Sequence, residues 1–253
     1  MKKVVLFFVF ILSLFLIVGC EDSPKDNEEK NKSREVTKDE KEKLVNIIDK
    51  MKYLDYYGKS FEVKDLTNQE ALRASYNIYT SIYPNGELKF SKIEEVADNY
   101  LGFSLEPEHI LCDTHFNILG ASDYILLYDS KKDEFVDNDS HLGHGGGGFT
   151  TAVYNRFVSG TVLEDVYTIK VYKLFSDLTS DVMDETSYYY SSYSNAQKEV
   201  NKLFKTTYNF ETNRFDKDPQ NVLDNMDTDD LIIYTYTFIL DDGNYVLDEY
   251  KIG

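Results

Sequence analysis

The chain has 253 residues, with 45 Asp and Glu against 27 Lys and Arg, and its formal net charge is −18. This acidic balance argues against a nucleic-acid-binding protein, because phosphate recognition needs a basic surface. Hydrophobic residues make up 42% of the chain, which is enough for a folded core and excludes wholesale disorder. The two cysteines exclude a scaffold held by several disulfides. The length allows one large domain or two small ones.

The first twenty residues have the organisation of an export signal. Lys2 and Lys3 precede an apolar run over residues 4–18. This run is shorter than the roughly 20 residues that a membrane-spanning helix needs, and it fits the apolar region of a signal peptide. It ends in Ile17-Val18-Gly19-Cys20, which resembles the signal of bacterial lipoproteins.

The resemblance implies that residues 1–19 are a signal peptide and that Cys20 receives diacylglycerol and palmitate. The protein is then expected on the extracytoplasmic face of the bacterial cell membrane, because two acyl chains anchor a protein stably. An ordinary signal peptide and an uncleaved anchor remain the alternatives. The rest of the chain, rich in Lys, Asn, Asp and Tyr, is similar in composition to uncharacterised surface lipoproteins.

Residues 20–37 are predicted to form a disordered, charged tether. Acidic and basic residues dominate this stretch, and Val36 is its only aliphatic residue. Such a segment buries too little apolar surface to offset the entropy that ordering would cost. The sequence therefore predicts a single extracytoplasmic domain over residues 38–253.

Four segments begin with the pattern of a helix capping box, in which Ser or Thr is followed three residues later by Glu or Gln. The first three precede apolar residues at helical spacing and predict a largely helical segment over residues 38–102. The four pairs are Thr37 with Glu40, Thr67 with Glu70, Ser91 with Glu94, and Ser194 with Gln197.

Later segments have the alternation of β-strands. Residues 124–128, 165–175 and 231–240 alternate or are rich in β-forming residues, and Asp242-Gly243 is a strong signal for a two-residue hairpin turn. Helices followed by strands predict the α+β class, with the helical segment packed on a mainly antiparallel sheet that ends in a C-terminal β-hairpin.

All four histidines lie in two short clusters. The first has an H-x-x-C-x-x-H spacing and the second an H-x-x-H spacing, and imidazole and thiolate are good ligands for zinc or copper. The alternative is that the cysteine is a small buried residue and that the histidines are ordinary loop residues. The candidate ligands are His109, Cys112, His115, His141 and His144.

A glycine-rich string follows the last histidine. Gly145, Gly146, Gly147, Gly148 and Phe149 form a candidate binding loop, since such loops often contact ligands. Together with His144 the string resembles the oxyanion loop of lipases and esterases, but the chain lacks the G-x-S-x-G nucleophile motif of those enzymes. It also lacks the Gly-Lys-Ser/Thr ending of a phosphate loop.

The sequence leaves two functions open. The first is a non-catalytic envelope domain that binds an extracytoplasmic protein or glycan and contacts the membrane through lipid on Cys20, with no cofactor. The second is a lipoprotein that binds a transition metal, zinc or copper, through the histidine clusters. An enzyme is less favoured, because no nucleophile or base can be assigned.

Overall fold

The computed structural model describes residues 32–111, 124–137, 152–176, 186–209, 211–212 and 214–253. Residues 32–253 belong to one compact unit. The unit combines helices with a large antiparallel sheet, and the predicted α+β class is confirmed. The predicted signal peptide, Cys20 and most of the predicted tether lie outside the described residues.

Five α-helices are present in the described part of the chain. Two short 3-10 turns, Lys52–Tyr57 and Val63–Asp65, connect the first helix to the second. No helix of this part is long and apolar enough to cross a membrane. The helices are α1 Lys38–Lys50, α2 Asn68–Ile82, α3 Phe90–Leu101, α4 Tyr193–Lys198 and α5 Pro219–Asn225.

Two of the predicted capping boxes are present and two are not. Thr37 caps α1 and Thr67 caps α2, each with the glutamate three residues later closing the box. The prediction at Ser91 was wrong, because α3 begins at Phe90 and its N-cap residue, Lys89, makes no side-chain cap. The prediction at Ser194 was also wrong, because the side chain that caps α4 is that of Ser192.

The described strands pair antiparallel throughout. The strand order of the large sheet is β10-β9-β8-β7-β11-β12-β2, and β6, which also pairs with β1, joins the sheet by pairing with β7. A separate small sheet has the order β3-β4-β5. The strands are β1 Arg34–Glu35, β2 Phe61–Glu62, β3 Ile110–Leu111, β4 Tyr124–Asp129, β5 Glu134–Asp137, β6 Val153–Leu163, β7 Val166–Ser176, β8 Thr186–Tyr190, β9 Phe204–Asn209, β10 Arg214–Phe215, β11 Ile233–Asp241 and β12 Asn244–Ile252.

The core forms between one face of the large sheet and helices α1 to α3. Alternate residues of β7 and β11 are buried, because successive side chains of a strand point to opposite faces. Leu44 and Ile48 of α1 belong to the same hydrophobic cluster as the strand residues. The buried strand residues of this face include Tyr167, Ile169, Val171, Tyr234, Tyr236 and Phe238.

The β11–β12 hairpin turns at Asp242 and Gly243, whose φ angles are 44° and 85°. Positive φ at both central residues is required by the tight turn that matches the twist of the strands. Asp241 and Asn244 close the ladder on either side of the turn. The hairpin therefore ends in a short, well-defined tip beyond the sheet.

Two residues of the predicted tether, Arg34 and Glu35, form strand β1 of the large sheet. β1 pairs with the edge strand β6, and the backbone N–H of Val36 donates to the carbonyl of Gly160 at 3.1 Å. A Cβ at position 160 would lie 2.6 Å from Cγ2 of Val36, so the missing side chain makes room for the valine. The composition of this stretch predicted a disordered tether. The strand could not be predicted from the sequence, because its partner lies more than a hundred residues away and leaves no local signal.

Candidate binding groove

Of the predicted metal ligands, only His109 is within the described residues. Its Nδ1 accepts a hydrogen bond from the backbone N–H of Tyr128 at 2.9 Å, and its carbonyl accepts one from Gln69 at 2.7 Å. The described residues contain no group of three or more His, Cys, Asp or Glu arranged to hold a metal ion. Outside the described residues lie Cys112, His115, His141, His144, the four glycines Gly145 to Gly148, and Phe149.

A groove of about 950 Å³ lies between the helices and the hairpin tip. One face of α1, the end of α2 and one face of α3 form its walls together with the turn of β11–β12. Its aliphatic lining residues Ile47, Ile82, Val96 and Leu240 are half-buried or buried. Amide, aromatic and charged side chains form the rest of the lining.

The hairpin tip is fastened to α3 on one side of the groove. Nδ2 of Asn244 donates a hydrogen bond to Oδ1 of Asn99 at 3.2 Å. Helix α3 ends at Leu101. The capping residue Gly102 has a left-handed φ of 57°, and a Cβ on it would lie 3.0 Å from Cγ1 of Val246 on β12. Glycine therefore allows the end of α3 to approach the strand closely, which fixes the position of this wall.

Two tyrosines at the end of α2 form another part of the groove lining. Tyr79 is 5% exposed and its hydroxyl donates to the carbonyl of Glu87 at 2.7 Å. The ring of Tyr83 lies 5.3 Å from that of Tyr79 and is 54% exposed. A Cβ at Gly86 would overlap the hydroxyl of Tyr79 and lie 3.0 Å from Cβ of Tyr83. The glycine thus permits the turn after α2 to close over the buried tyrosine.

The charged residues of the groove are largely paired. Nζ of Lys92 lies 3.0 Å from Oε2 of Glu95, which raises the pKa of the lysine. Glu87 is paired with Lys89, whose ammonium group lowers the pKa of the glutamate. Burial, together with neighbouring Tyr83, raises the pKa of Tyr100, so this hydroxyl stays protonated at neutral pH. The groove therefore offers neutral hydrogen-bonding groups and balanced charges.

A second polar cluster lies inside the core, between the helices and the sheet. The Nζ atom of Lys173 is 2.6 Å from Oδ2 of Asp55, and both side chains are completely buried. Oδ1 of the same carboxylate accepts hydrogen bonds from Tyr236 at 3.2 Å and Tyr250 at 2.7 Å. Because these groups have no access to solvent, the cluster supports the fold and does not face a ligand.

Burial determines how the members of this cluster titrate. It lowers the pKa of Lys173, an effect that the neighbouring carboxylate opposes. It also raises the pKa values of Tyr236 and Tyr250 well above their ordinary range, and the charge of Asp55 adds to that effect. The tyrosines therefore remain hydrogen-bond donors to Asp55 over a wide range of pH.

No family model, curated protein or solved structure matches the chain. The function must accordingly be argued from the geometry of the groove. Sequence reasoning did not find this site, because its walls come from segments far apart in the chain. The sequence predicted the hairpin turn at Asp242-Gly243 and the helical segment separately. Neither prediction indicated that the turn and the helices meet.

Proposed function

We propose that this protein is a lipid-anchored protein of the bacterial envelope whose folded domain binds a ligand in the groove between helices α1 to α3 and the hairpin tip. The anchor is proposed from the sequence of residues 1–20, in which an apolar run ends at Cys20. Lipid on this residue would keep a strongly acidic chain at a membrane that its charge alone would not attract.

The observation that carries the binding role is the groove itself. Ligand sites are concave, combine apolar surface with a few polar groups, and commonly have volumes of about 300–1,000 Å³. The groove, at about 950 Å³, has this size and this mixture of aliphatic, aromatic and amide groups. Its walls are fixed by the Asn244–Asn99 hydrogen bond and by the buried Tyr79, which favours a preformed site.

The anchor is tested with Cys20→Ser in the full-length precursor. Wild-type protein should incorporate radiolabelled palmitate and sediment with membranes, whereas the variant should remain unlabelled and unprocessed. A variant that is processed and labelled like the wild type would contradict lipidation at this residue. The change leaves every residue of the described fold untouched.

The groove is tested by hydrogen exchange of the mature lipidated protein with ligands of three classes: neutral oligosaccharides, anionic oligosaccharides and peptides. Binding of any one class should protect backbone amides of α3 and of the hairpin tip, because ordering of the walls slows their opening. If none of the three classes protects these segments, the groove is not the binding site.

A further inference from the structure

We infer that the ligand of the groove is an uncharged oligosaccharide. This inference rests on the proposed function, since it names the class of ligand that the same groove takes. Three properties of the lining carry it: the balance of charge, the amide side chains from three elements, and the partly exposed tyrosine rings.

The charge of the groove does not favour an ionic ligand. Two lysines, Lys43 and Lys92, line it together with two glutamates, Glu87 and Glu95. One pair is formed within the groove, between Lys92 and Glu95, and Glu87 is held by Lys89. An anionic ligand would also approach a chain whose net charge is −18, which repels it at a distance.

Amide side chains lie on three of the walls. Asn46 belongs to α1, Asn99 to α3 and Asn244 to the hairpin tip. An amide has two donor hydrogens and an acceptor oxygen, and the hydroxyl groups of a sugar are both donors and acceptors. The hydrogen bond from Asn244 to Asn99 uses one hydrogen and one oxygen, so both amides keep capacity for a ligand.

Tyrosine rings complete the match to a sugar. Tyr83 is more than half exposed, and Tyr100 and Tyr245 are partly exposed within the same groove. The C–H groups on one face of a pyranose ring form an apolar surface that packs on an aromatic face. Tyrosine provides that face with little loss of side-chain entropy, and its hydroxyl adds a hydrogen bond.

The size and the walls of the groove favour a short oligosaccharide. Its volume of about 950 Å³ exceeds what a single sugar ring would fill. A peptide that bound by strand addition would need a sheet edge along the groove. The described walls come mainly from three helices, and the β11–β12 hairpin contributes only its tip, with Leu240, Gly243, Asn244 and Tyr245.

The test measures binding of maltotetraose, cellotetraose and tetra-N-acetylchitotetraose to the mature lipidated protein by calorimetry in a detergent without sugar. A heparin-derived tetrasaccharide and a random-sequence peptide mixture serve as charged and peptide probes. The variants are Tyr83→Ala and Asn99→Ala. Phe215→Ala is the matched control, because this aromatic residue is 40% exposed on β10 and does not line the groove.

At least one neutral tetrasaccharide should bind, and each groove variant should weaken its binding about tenfold or more, as expected for a central contact residue. The control should change the dissociation constant by no more than about twofold. Melting temperatures of all variants establish that they are folded. Hydrogen exchange should show protection of α3 and the hairpin tip with the same sugar.

Two results would overturn the inference in different ways. Protection of the groove by the anionic tetrasaccharide or the peptides, without binding of a neutral sugar, would leave the binding role intact and exclude this ligand class. Binding of a neutral sugar that is insensitive to both groove variants would place it elsewhere. Failure of all three classes to protect the groove would remove the proposed binding role as well.

Discussion

Lys173 and Asp55 form an ion pair in the middle of the core, with 2.6 Å between Nζ and Oδ2 and no solvent exposure of either side chain. The two residues are 118 positions apart in the chain. Asp55 lies in the 3-10 turn after α1, and Lys173 lies on β7. Since Tyr236 of β11 and Tyr250 of β12 donate to the same carboxylate, this group connects the helical layer to three adjacent strands.

Replacing the lysine alone should be costly. Lys173→Met leaves Asp55 as a buried charge without its cation, and the loss should be about 3–5 kcal/mol in the free energy of unfolding. The double variant Lys173→Met/Asp55→Asn should recover part of this loss, because the neutral amide oxygen can still accept from Tyr250. Urea unfolding measures both.

The matched control for this substitution is Lys170→Met. Lys170 is on the same strand but exposed on the opposite face, and its loss should change stability by no more than about 0.5 kcal/mol. Equal destabilisation by the single and double variants would contradict the view that an unpaired buried charge causes the cost.

Three buried tyrosines should resist alkaline titration. Burial and the charge of Asp55 raise the pKa values of Tyr234, Tyr236 and Tyr250 above their ordinary value of 10.0. The ultraviolet phenolate signal of the folded protein should therefore lack the contribution of at least these residues. The unfolded protein in urea should show the full amplitude.

The same shifts predict how stability depends on alkaline pH. A group whose pKa is raised by folding contributes stability in full below its ordinary pKa, and that contribution is lost as pH rises toward the folded value. The free energy of unfolding should thus fall above about pH 10. Full titration of all tyrosines in the folded protein would contradict the burial of this cluster.

Glu40 should make stability sensitive to acid. Hydrogen bonds from Arg34 hold the pKa of Glu40 well below its ordinary value of 4.5, and the Thr37 backbone adds to the effect. The stabilising contribution is therefore complete above pH 4.5 and is lost as pH falls below it. Glu40→Gln should lower stability at neutral pH and flatten its decline in acid, as measured by urea midpoints over a pH series.

Glu42→Gln is the control for the acid effect. Glu42 is on the same helix, its side chain is 66% exposed, and it lies 3.7 Å from Lys38. An exposed pair of this kind contributes little to stability. The free energy of unfolding of Glu42→Gln should therefore depend on pH as it does in the wild type. If the free energy of unfolding declined equally in acid for Glu40→Gln and the wild type, the pair of Glu40 with Arg34 would not be the cause of that decline.

Gly86→Ala should disturb the tyrosine end of the groove. The added Cβ would overlap the hydroxyl of Tyr79 and crowd Tyr83, so the turn or the rings must move. Overpacking of this kind costs about 1–3 kcal/mol, which thermal unfolding measures. The variant should also weaken ligand binding, because Tyr83 would shift. Gly243→Ala adds a Cβ into open space and, although its positive φ adds strain, should leave Tyr83 in place.

Local patterns predicted some helix starts and missed others for a physical reason. At Thr37 and Thr67 the capping partners are three residues apart, so the sequence contains the whole arrangement. At α3 the carboxylate of Asp133 accepts from the backbone N–H of Ser91 at 3.3 Å across 42 positions. A tertiary contact thus replaces the local cap that the sequence suggested.

The groove illustrates the same limit at the level of function. Tyr83, Asn99 and Asn244 belong to three separate elements, and none stands in a recognisable motif. Sequence analysis instead singled out contiguous strings of histidine and glycine, because only adjacent residues form a visible pattern. Of those residues His109 alone is described, and its Nδ1 is occupied by a backbone hydrogen bond. The metal hypothesis stays a prediction for the remaining residues.

The short pairing of β1 with β6 has a mechanical consequence. In the lipid-anchored form that we propose, the membrane is attached on the N-terminal side of Lys32, so tension from a bound partner enters the domain at β1. The pairing of Arg34 and Glu35 with β6 and the contacts of Glu40 would resist this tension first, before any contact of the hydrophobic core. Peeling residues 34–36 from β6 would release roughly 10 Å of chain, at about 3.3–3.6 Å per residue. The domain could then yield in length under load while its groove stays folded.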